Sequence, residues 1–217
     1  MKVNTDSVLL GAWTQIPENA KNILDIGTGT GVLALMMAHK NNFIEIDAIE
    51  IEKNAAEEAK ENFKNSKWNN RIKSYFIPLQ SFLPKTKYDC IITNPPYFIN
   101  ALKNTKKNKS LARHTESLSF EEIICFCAKN MTCKGMLSLI LPKQEAEIFQ
   151  EIAKKEELFL TRICFIRPTV DKEFNRVLME FSLKKKELQK EEMEIYQAKN
   201  VYSKKHFELT KEFYLNK

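Results

Sequence analysis

The sequence is poor in the residues that build metal centres, disulfide frameworks and membrane spans. It holds three histidines and five cysteines in 217 residues, and no Cys-x-x-Cys pair. Cys125 and Cys127 lie two positions apart in a stretch that reads as helix, so they point to different sides of it. That spacing does not suit zinc. Reduced thiols acting as small core residues fit it better. No apolar run approaches the roughly 20 residues that a membrane-spanning helix needs. The opening Met1-Lys2-Val3-Asn4-Thr5-Asp6 lacks the apolar core of a signal peptide, so a cytoplasmic protein is expected. Glycine is scarce as well: five in all, three of them crowded into Gly27-Thr28-Gly29-Thr30-Gly31.

What is present describes an ordinary globular chain. Hydrophobic residues make up 43% and charged residues 29%, enough for a sizeable core and a well-solvated surface. At 217 residues one domain is expected, with a core over residues 1–183 and an extension over 184–217. The formal net charge of +6 permits a polyanionic partner without requiring one.

Along the chain, Thr5-Asp6-Ser7 reads as a helix cap and Val8 to Trp13 as a short apolar helix. Strands are expected at residues 23–26, 44–51, 71–77, 88–93, 135–141, 161–166 and 176–183. Helices fall at 32–39, 53–64, 120–131 and 144–154. This alternation predicts an α/β fold: a seven-stranded, mostly parallel, doubly wound sheet with helices on both faces. The connection at 167–175 is short, so the last two strands should pair antiparallel at an edge. The charged run 184–194 reads as a solvated linker or helix face. A final helix over 204–215 has Phe207, Phe213, Tyr214 and Leu215 to bury.

Thr93-Asn94-Pro95-Pro96-Tyr97 follows the fourth strand. The prolines stiffen the backbone and keep Asn94 out of the helical region. Pro95 has no N–H, so its carbonyl is free to face a ligand. With the Asn94 amide carbonyl it makes two acceptors beside the flat ring of Tyr97. That set suits a planar substrate carrying an NH2 group; a plain turn is the other reading. Gly27, Gly29 and Gly31 follow a strand and open a helix, where glycine allows tight turning and close approach of backbone to a ligand. The spacing is Gly-x-Gly-x-Gly rather than the dinucleotide fingerprint. Glu50 follows Gly31 by 19 positions at the end of the second strand, where a carboxylate can accept both hydroxyls of a ribose. Asp25 could take an ammonium group. Between Tyr97 and Glu116 stand Lys103, Lys106, Lys107, Lys109, Arg113 and His114 without one acidic residue. A loop of that kind suits nucleic-acid phosphates, though a solvated loop with no partner has the same composition.

The order strand, Gly-x-Gly-x-Gly, helix, strand ending in an acid, then Asn-Pro-Pro-Tyr resembles the class I S-adenosylmethionine-dependent methyltransferases that act on amino or amide nitrogens. The resemblance spans residues 23–183 and implies a Rossmann-like sheet. It implies that Asp25, Gly27, Thr28, Gly29 and Gly31 hold the methionine end of S-adenosyl-L-methionine. Glu50, with Ile51 beside it, would hold the ribose, and Asn94, Pro95, Pro96 and Tyr97 the target group, with Asn94 also bordering the cofactor. Relatives carry an Asp at the end of the third strand for the adenine amino group. Pro78 stands there in this chain, so Gln80, Ser81 or a main-chain carbonyl would substitute. Residues 2–13, 112–118 and 202–215, with Arg167-Pro168-Thr169, Asp171-Lys172-Glu173 and Arg176-Val177-Leu178, resemble the bacterial tRNA1(Val) (adenine(37)-N6)-methyltransferase family. By that likeness Thr5 and Asp6 sit near the cofactor pocket, where a simple helix cap is the other reading. The partner implied is tRNA, bound through the basic loop by a monomeric enzyme with no metal and no membrane contact. The family usually carries a further segment ahead of the position of Met1. Other readings of Asn-Pro-Pro-Tyr remain: a glutamine-N5 protein methyltransferase, a DNA-adenine or ribosomal guanine-N2 enzyme, or a non-catalytic RNA-binding module. The glutamine enzyme expects a separate helical substrate domain, the DNA-adenine enzyme a target-recognition domain, and the guanine-N2 enzyme usually a Phe where Tyr97 stands.

Overall fold

The computed structural model describes residues 4–96 and 118–214. Helix α1 (Thr5–Trp13) opens the described chain. Its cap is Asn4, one residue earlier than the sequence suggests: the Asn4 side chain accepts the Ser7 N–H at 2.7 Å. At its other end the Lys40 ammonium donates to the carbonyls of Gly11, Ala12 and Thr14 at 3.1, 2.8 and 2.5 Å. These are the orphan acceptors a helix leaves at its C-terminus. Burial of that ammonium pulls its pKa down to about 8.

Strands and helices then alternate: β1 (Asn22–Ile26), α2 (Val32–Lys40), β2 (Glu45–Glu50), α3 (Lys53–Asn65) and β3 (Ile72–Phe76). A short 3-10 turn (Leu79–Ser81) leads to β4 (Tyr88–Thr93). After the undescribed residues come α4 (Phe120–Asn130), β5 (Met131–Pro142), α5 (Lys143–Lys155), β6 (Phe159–Arg167) and β7 (Arg176–Ser182). The chain continues with β8 (Gln189–Glu194), β9 (Tyr196–Ala198), β10 (Val201–Tyr202) and α6 (Lys204–Thr210).

One sheet runs in the order β3-β2-β1-β4-β5-β7-β6-β8. All neighbouring pairs are parallel except those of β7, which is antiparallel to both β5 and β6. The expected antiparallel pairing of the sixth and seventh strands is present, but not at the sheet's edge, which β8 occupies. The sheet has eight strands rather than seven, because residues 189–194 form β8 on the outside of β6 instead of a linker or helix face. The charges that disguise this strand are matched across the pair. Arg162 on β6 donates to Glu191 at 2.8 Å, and Arg167 to Glu194 at 2.5 Å, while Met193 packs inward. Charged residues on an edge strand also discourage pairing with a further chain. The terminal helix is shorter than expected. It ends at Thr210, buries His206 and Thr210, and leaves Phe207 exposed; Leu215 lies outside the described residues.

Alternation along the strands divides the core between the sheet's two faces. Ile23 and Ile140 pack with Leu9, Leu10 and Met37 on one side. Leu24, Ile26, Leu139 and Leu141 pack with Phe120, Phe149 and Phe181 on the other. Chain order reverses about β1, which lies between β2 and β4. In open α/β sheets, ligands bind outside the carboxyl ends of the strands at such a reversal. The loops after β1, β2 and β4 all emerge there. Among the described residues no helix is long and apolar enough to cross a membrane.

Candidate active site

A cavity of about 320 Å³ lies at this carboxyl edge. Its first wall is the turn after β1. Gly27, Gly29 and Gly31 all have left-handed backbone, with φ of 69°, 58° and 89°, a conformation only glycine adopts without strain. Gly27 and Thr28 donate their N–H groups to the Ile49 carbonyl, each at 3.0 Å, which folds the turn across the end of β2. The glycines then divide their work. A Cβ built on Gly27 meets nothing within 4 Å, so the main chain there leaves room for a ligand to lie against it. A Cβ on Gly31 would collide with the Phe63 ring, and Gly31 does not line the cavity. Gly31 serves the packing of α2 against α3.

Asp25 stands beneath this turn and off the cavity wall. It is wholly buried. One carboxylate oxygen accepts the Thr28 hydroxyl at 2.6 Å and the Ala34 N–H at 3.1 Å. Burial pushes its pKa up to about 7, against the opposing pull of those two hydrogen bonds. Its visible work is to pin the turn to the start of α2.

Glu50, at the end of β2, lines the second wall. Its Oε2 accepts the Gly29 N–H at 2.8 Å, and Oε1 accepts the N–H groups of Ile51 and Glu52 at 2.8 and 2.9 Å. A carboxylate held by three backbone donors cannot swing away, and each oxygen keeps acceptor capacity for a hydroxyl in the cavity. Ile51 continues this wall, and Ile77, Pro78, Leu79 and Leu118 line the same cavity, which gives it an apolar slot. Gln80 borders the slot. Its Nε2 donates to Glu122 Oε1 at 2.8 Å. Glu122 also closes a capping box with Ser119 at the start of α4. Because a carboxylate only accepts, the amide nitrogen must face it, which leaves the Gln80 carbonyl oxygen for another donor.

The third wall is the end of β4. Thr93 is fastened to β1 by its hydroxyl, which donates to the Ile26 carbonyl at 2.8 Å. Asn94 and Pro96 line the cavity, and Pro95 is buried between them. Asn94 Nδ2 donates to Ser7 Oγ at 3.0 Å and reaches Asn4 Oδ1 at 3.5 Å. Asn4 and Ser7 themselves line the cavity, whereas Thr5 is exposed and Asp6 is turned to Arg176, its Oδ2 accepting the Arg176 Nε–H at 2.8 Å. The N-terminal helix thus reaches the site one residue to either side of the pair singled out from the sequence. Nothing in a capping Asn or a helical Ser marks it in isolation. Tyr97, Lys103, Lys106, Lys107, Lys109, Arg113 and His114 lie outside the described residues. Among the described residues there is no cluster of three or more potential metal ligands.

Gly27, Glu50 and Asn94 therefore border one cavity, although they come from the ends of three separate strands. Comparison with known proteins identifies the family. A family model described as "Methyltransferase small domain" matches residues 4–144. The solved structure of a predicted O-methyltransferase, protein Atu636 from Agrobacterium tumefaciens, superposes with a TM-score of 0.74 at 18% identity, covering 95% of this chain and 96% of that one. A putative RNA methyltransferase from Pyrococcus horikoshii superposes with a TM-score of 0.55 at 15% identity over 75% of this chain and 74% of that one. At such identities the likeness speaks for the fold alone. Much nearer in sequence is a tRNA1(Val) (adenine(37)-N6)-methyltransferase of Flavobacterium psychrophilum, 40% identical over 99% of this chain and 93% of the relative. The protein of that name from Aliivibrio salmonicida is 44% identical over 100% of this chain and 92% of its own length. The chain belongs to the methyltransferase small domain family and, within it, to the family of tRNA1(Val) (adenine(37)-N6)-methyltransferases.

Proposed function

We propose that this protein transfers a methyl group from S-adenosyl-L-methionine to the exocyclic N6 of an adenine in tRNA, the base and tRNA being those its relatives' names give, adenine 37 of tRNA1(Val). The observation that carries this reading is the shared cavity: a cradle of Gly27 and Glu50 on one side and the Asn94 amide on the other. The residues fit the cofactor. Gly27 leaves open space for the methionine end, Glu50 presents a fixed carboxylate to the ribose hydroxyls, and the slot between Ile51, Ile77 and Leu79 suits a purine ring. Gln80 replaces the missing acid at the end of β3. Its carbonyl oxygen, left available by the Glu122 contact, would accept the cofactor's adenine amino group.

When bound, S-adenosyl-L-methionine supplies an electrophilic methyl on a sulfonium. The remaining work belongs to the chain. An adenine N6 is a poor nucleophile because its lone pair is delocalised into the ring. The Asn94 side-chain oxygen and the Pro95 carbonyl accept hydrogen bonds from its two N–H groups and draw the nitrogen toward tetrahedral geometry; once methylated, the nitrogen returns to neutrality by releasing one proton to solvent. These dipoles are set in place beforehand and stabilise positive charge as it develops on the nitrogen; fixed placement of the amine contributes much of the rest. No strong general base is needed. Stacking of Tyr97 on the base contributes roughly 1–3 kcal/mol. The target base must be unpaired or flipped out to reach a cavity at the sheet edge. Lys103, Lys106, Lys107 and Lys109 would supply the positive charge that phosphates of the tRNA call for.

The test is methyl transfer from labelled cofactor into separated tRNA, DNA and protein fractions, followed by nucleoside analysis. N6-methyladenosine in tRNA is the expected product. Label in a protein glutamine, in guanine N2 or in DNA contradicts the reading.

A further inference from the structure

Asn94 can grip an amine only if its oxygen, not its nitrogen, faces the substrate. An asparagine amide is nearly symmetric in shape, so something must decide its orientation. In this molecule the decision is made 87 residues away in sequence, on the first turn of α1. Asn4 Oδ1 accepts the Ser7 backbone N–H at 2.7 Å to cap the helix, so the Asn4 atom turned toward Asn94 is an acceptor. The Asn94 atom that faces it at 3.5 Å must therefore be Nδ2. Ser7 Oγ takes the same nitrogen at 3.0 Å. Were the amide reversed, two acceptors would meet at Asn4 and the cavity would receive an NH2 group, which matches a keto oxygen rather than an amine.

That first turn is itself held from outside. Asp6 pairs with Arg176 at the start of β7, at 2.8 Å, with both side chains partly buried. At the other end of the helix, Thr14 Oγ1 shares a 2.7 Å hydrogen bond with Ser138 of β5, and Lys40 clamps the last carbonyls. The helix is fixed to the sheet at both ends, so Asn4 presents a fixed acceptor that sets the amide's direction, and Ser7 holds the nitrogen so placed through a hydroxyl that accepts from it.

We infer that Ser7, with Asn4, is a positioning residue for the methyl transfer: it locks the Asn94 amide so that its carbonyl oxygen points at an exocyclic amine, and so selects amine over keto groups. This inference rests on the proposed role of Asn94.

The experiment compares Ser7→Ala, Ser7→Thr and Asn94→Ala in single-turnover methylation of tRNA, with cofactor affinity measured by calorimetry and folding by thermal melting. Alanine is a good helix former, so Ser7→Ala should melt with the parent. Its turnover should fall about 10- to 100-fold, the loss expected from a slightly misplaced reacting group. Cofactor affinity and the KM for tRNA should hold. Ser7→Thr keeps the acceptor oxygen and should recover most of the lost rate. Asn4→Asp, which keeps both cap and acceptor, should stay closer to the parent than Asn4→Leu. Full turnover in Ser7→Ala beside an inactive Asn94→Ala overturns the positioning role and leaves the proposed function standing. Loss in Ser7→Ala that follows weaker cofactor binding, or no recovery in Ser7→Thr, also overturns it. Full turnover in Asn94→Ala removes the reading on which it rests.

Discussion

Gly31→Ala and Gly27→Ala should fail in opposite ways, although both residues sit in one five-residue turn with left-handed backbone. A non-glycine residue in that conformation costs roughly 1–2 kcal/mol. A stiffer unfolded chain returns about 0.4–1 kcal/mol of this in either variant. For Gly27→Ala that is nearly the whole effect on folding, because a Cβ there meets nothing within 4 Å. The net loss is about 1 kcal/mol, a fall in Tm of about 2–4 °C for a chain of this size. For Gly31→Ala the new methyl strikes Phe63, which is itself buried and cannot swing out. Overpacking adds roughly 1–3 kcal/mol. The expected total is about 3 kcal/mol, a fall in Tm of about 6–12 °C. Ligand binding reverses the ranking. Gly27→Ala places its methyl in the cavity and should weaken S-adenosyl-L-methionine markedly, while Gly31→Ala, once folded, should bind it almost as the parent does. Melting by calorimetry and titration with the cofactor read the two effects separately. Phe63→Leu should relieve part of the Gly31→Ala defect, since residues in contact do not add independently. Equal stability losses, or unchanged cofactor affinity in Gly27→Ala, would refute the division of labour between these glycines.

Three further outcomes follow from the same geometry. Asp25 has its pKa raised from 3.8 to about 7, so its contribution to stability is complete below about pH 4 and is lost as pH rises through about 7. Asp25→Asn should therefore reduce the difference in Tm between those two pH values; an undiminished difference would show that the carboxyl is not the cause. Glu50→Ala removes the carboxylate offered to the ribose and should weaken cofactor binding on the order of 100-fold or more, by calorimetry, from two hydrogen bonds to a charged acceptor. Saturated turnover should suffer less, and an unaltered affinity contradicts the assignment. Arg162 is buried between Glu180 and Glu191, at 3.5 and 2.8 Å, and lies 4.0 Å from the Trp13 ring. Arg162→Met should cost about 3–5 kcal/mol in denaturant unfolding, because it strands a buried carboxylate. Adding Glu180→Gln should restore part of this, and strict additivity would show that the two groups are not coupled.

The parts of the site that the sequence reveals are those with a local cause. Three glycines after a strand demand a left-handed turn, and one acid at the end of the next strand falls within its reach. Adjacent prolines stiffen the chain beside Asn94. Each of these depends on a few neighbouring residues. The parts it conceals depend on distance. Ser7 and Asn4 meet Asn94 only because the first helix crosses the sheet, and neither residue type announces such a contact. The eighth strand hides because its alternation is written in lysine and glutamate, with one inward residue, Met193, and with partners on β6 that the local pattern does not show. Asp25 illustrates a third case. Its place before the glycines is legible, but a carboxylate's direction is not, and burial under the turn rather than exposure to the cavity emerges only in three dimensions. Gly31 is similar, since its close approach to the Phe63 ring joins two helices.

Single-turnover methylation by Asn94→Ala, run at saturating cofactor with cofactor affinity measured on the same sample, most directly addresses whether one amide oxygen beside the glycine turn activates the amine. The expected result is a methylation rate reduced to background while S-adenosyl-L-methionine binds as tightly as to the parent. A rate that survives the substitution, or one lost together with cofactor binding, would contradict it.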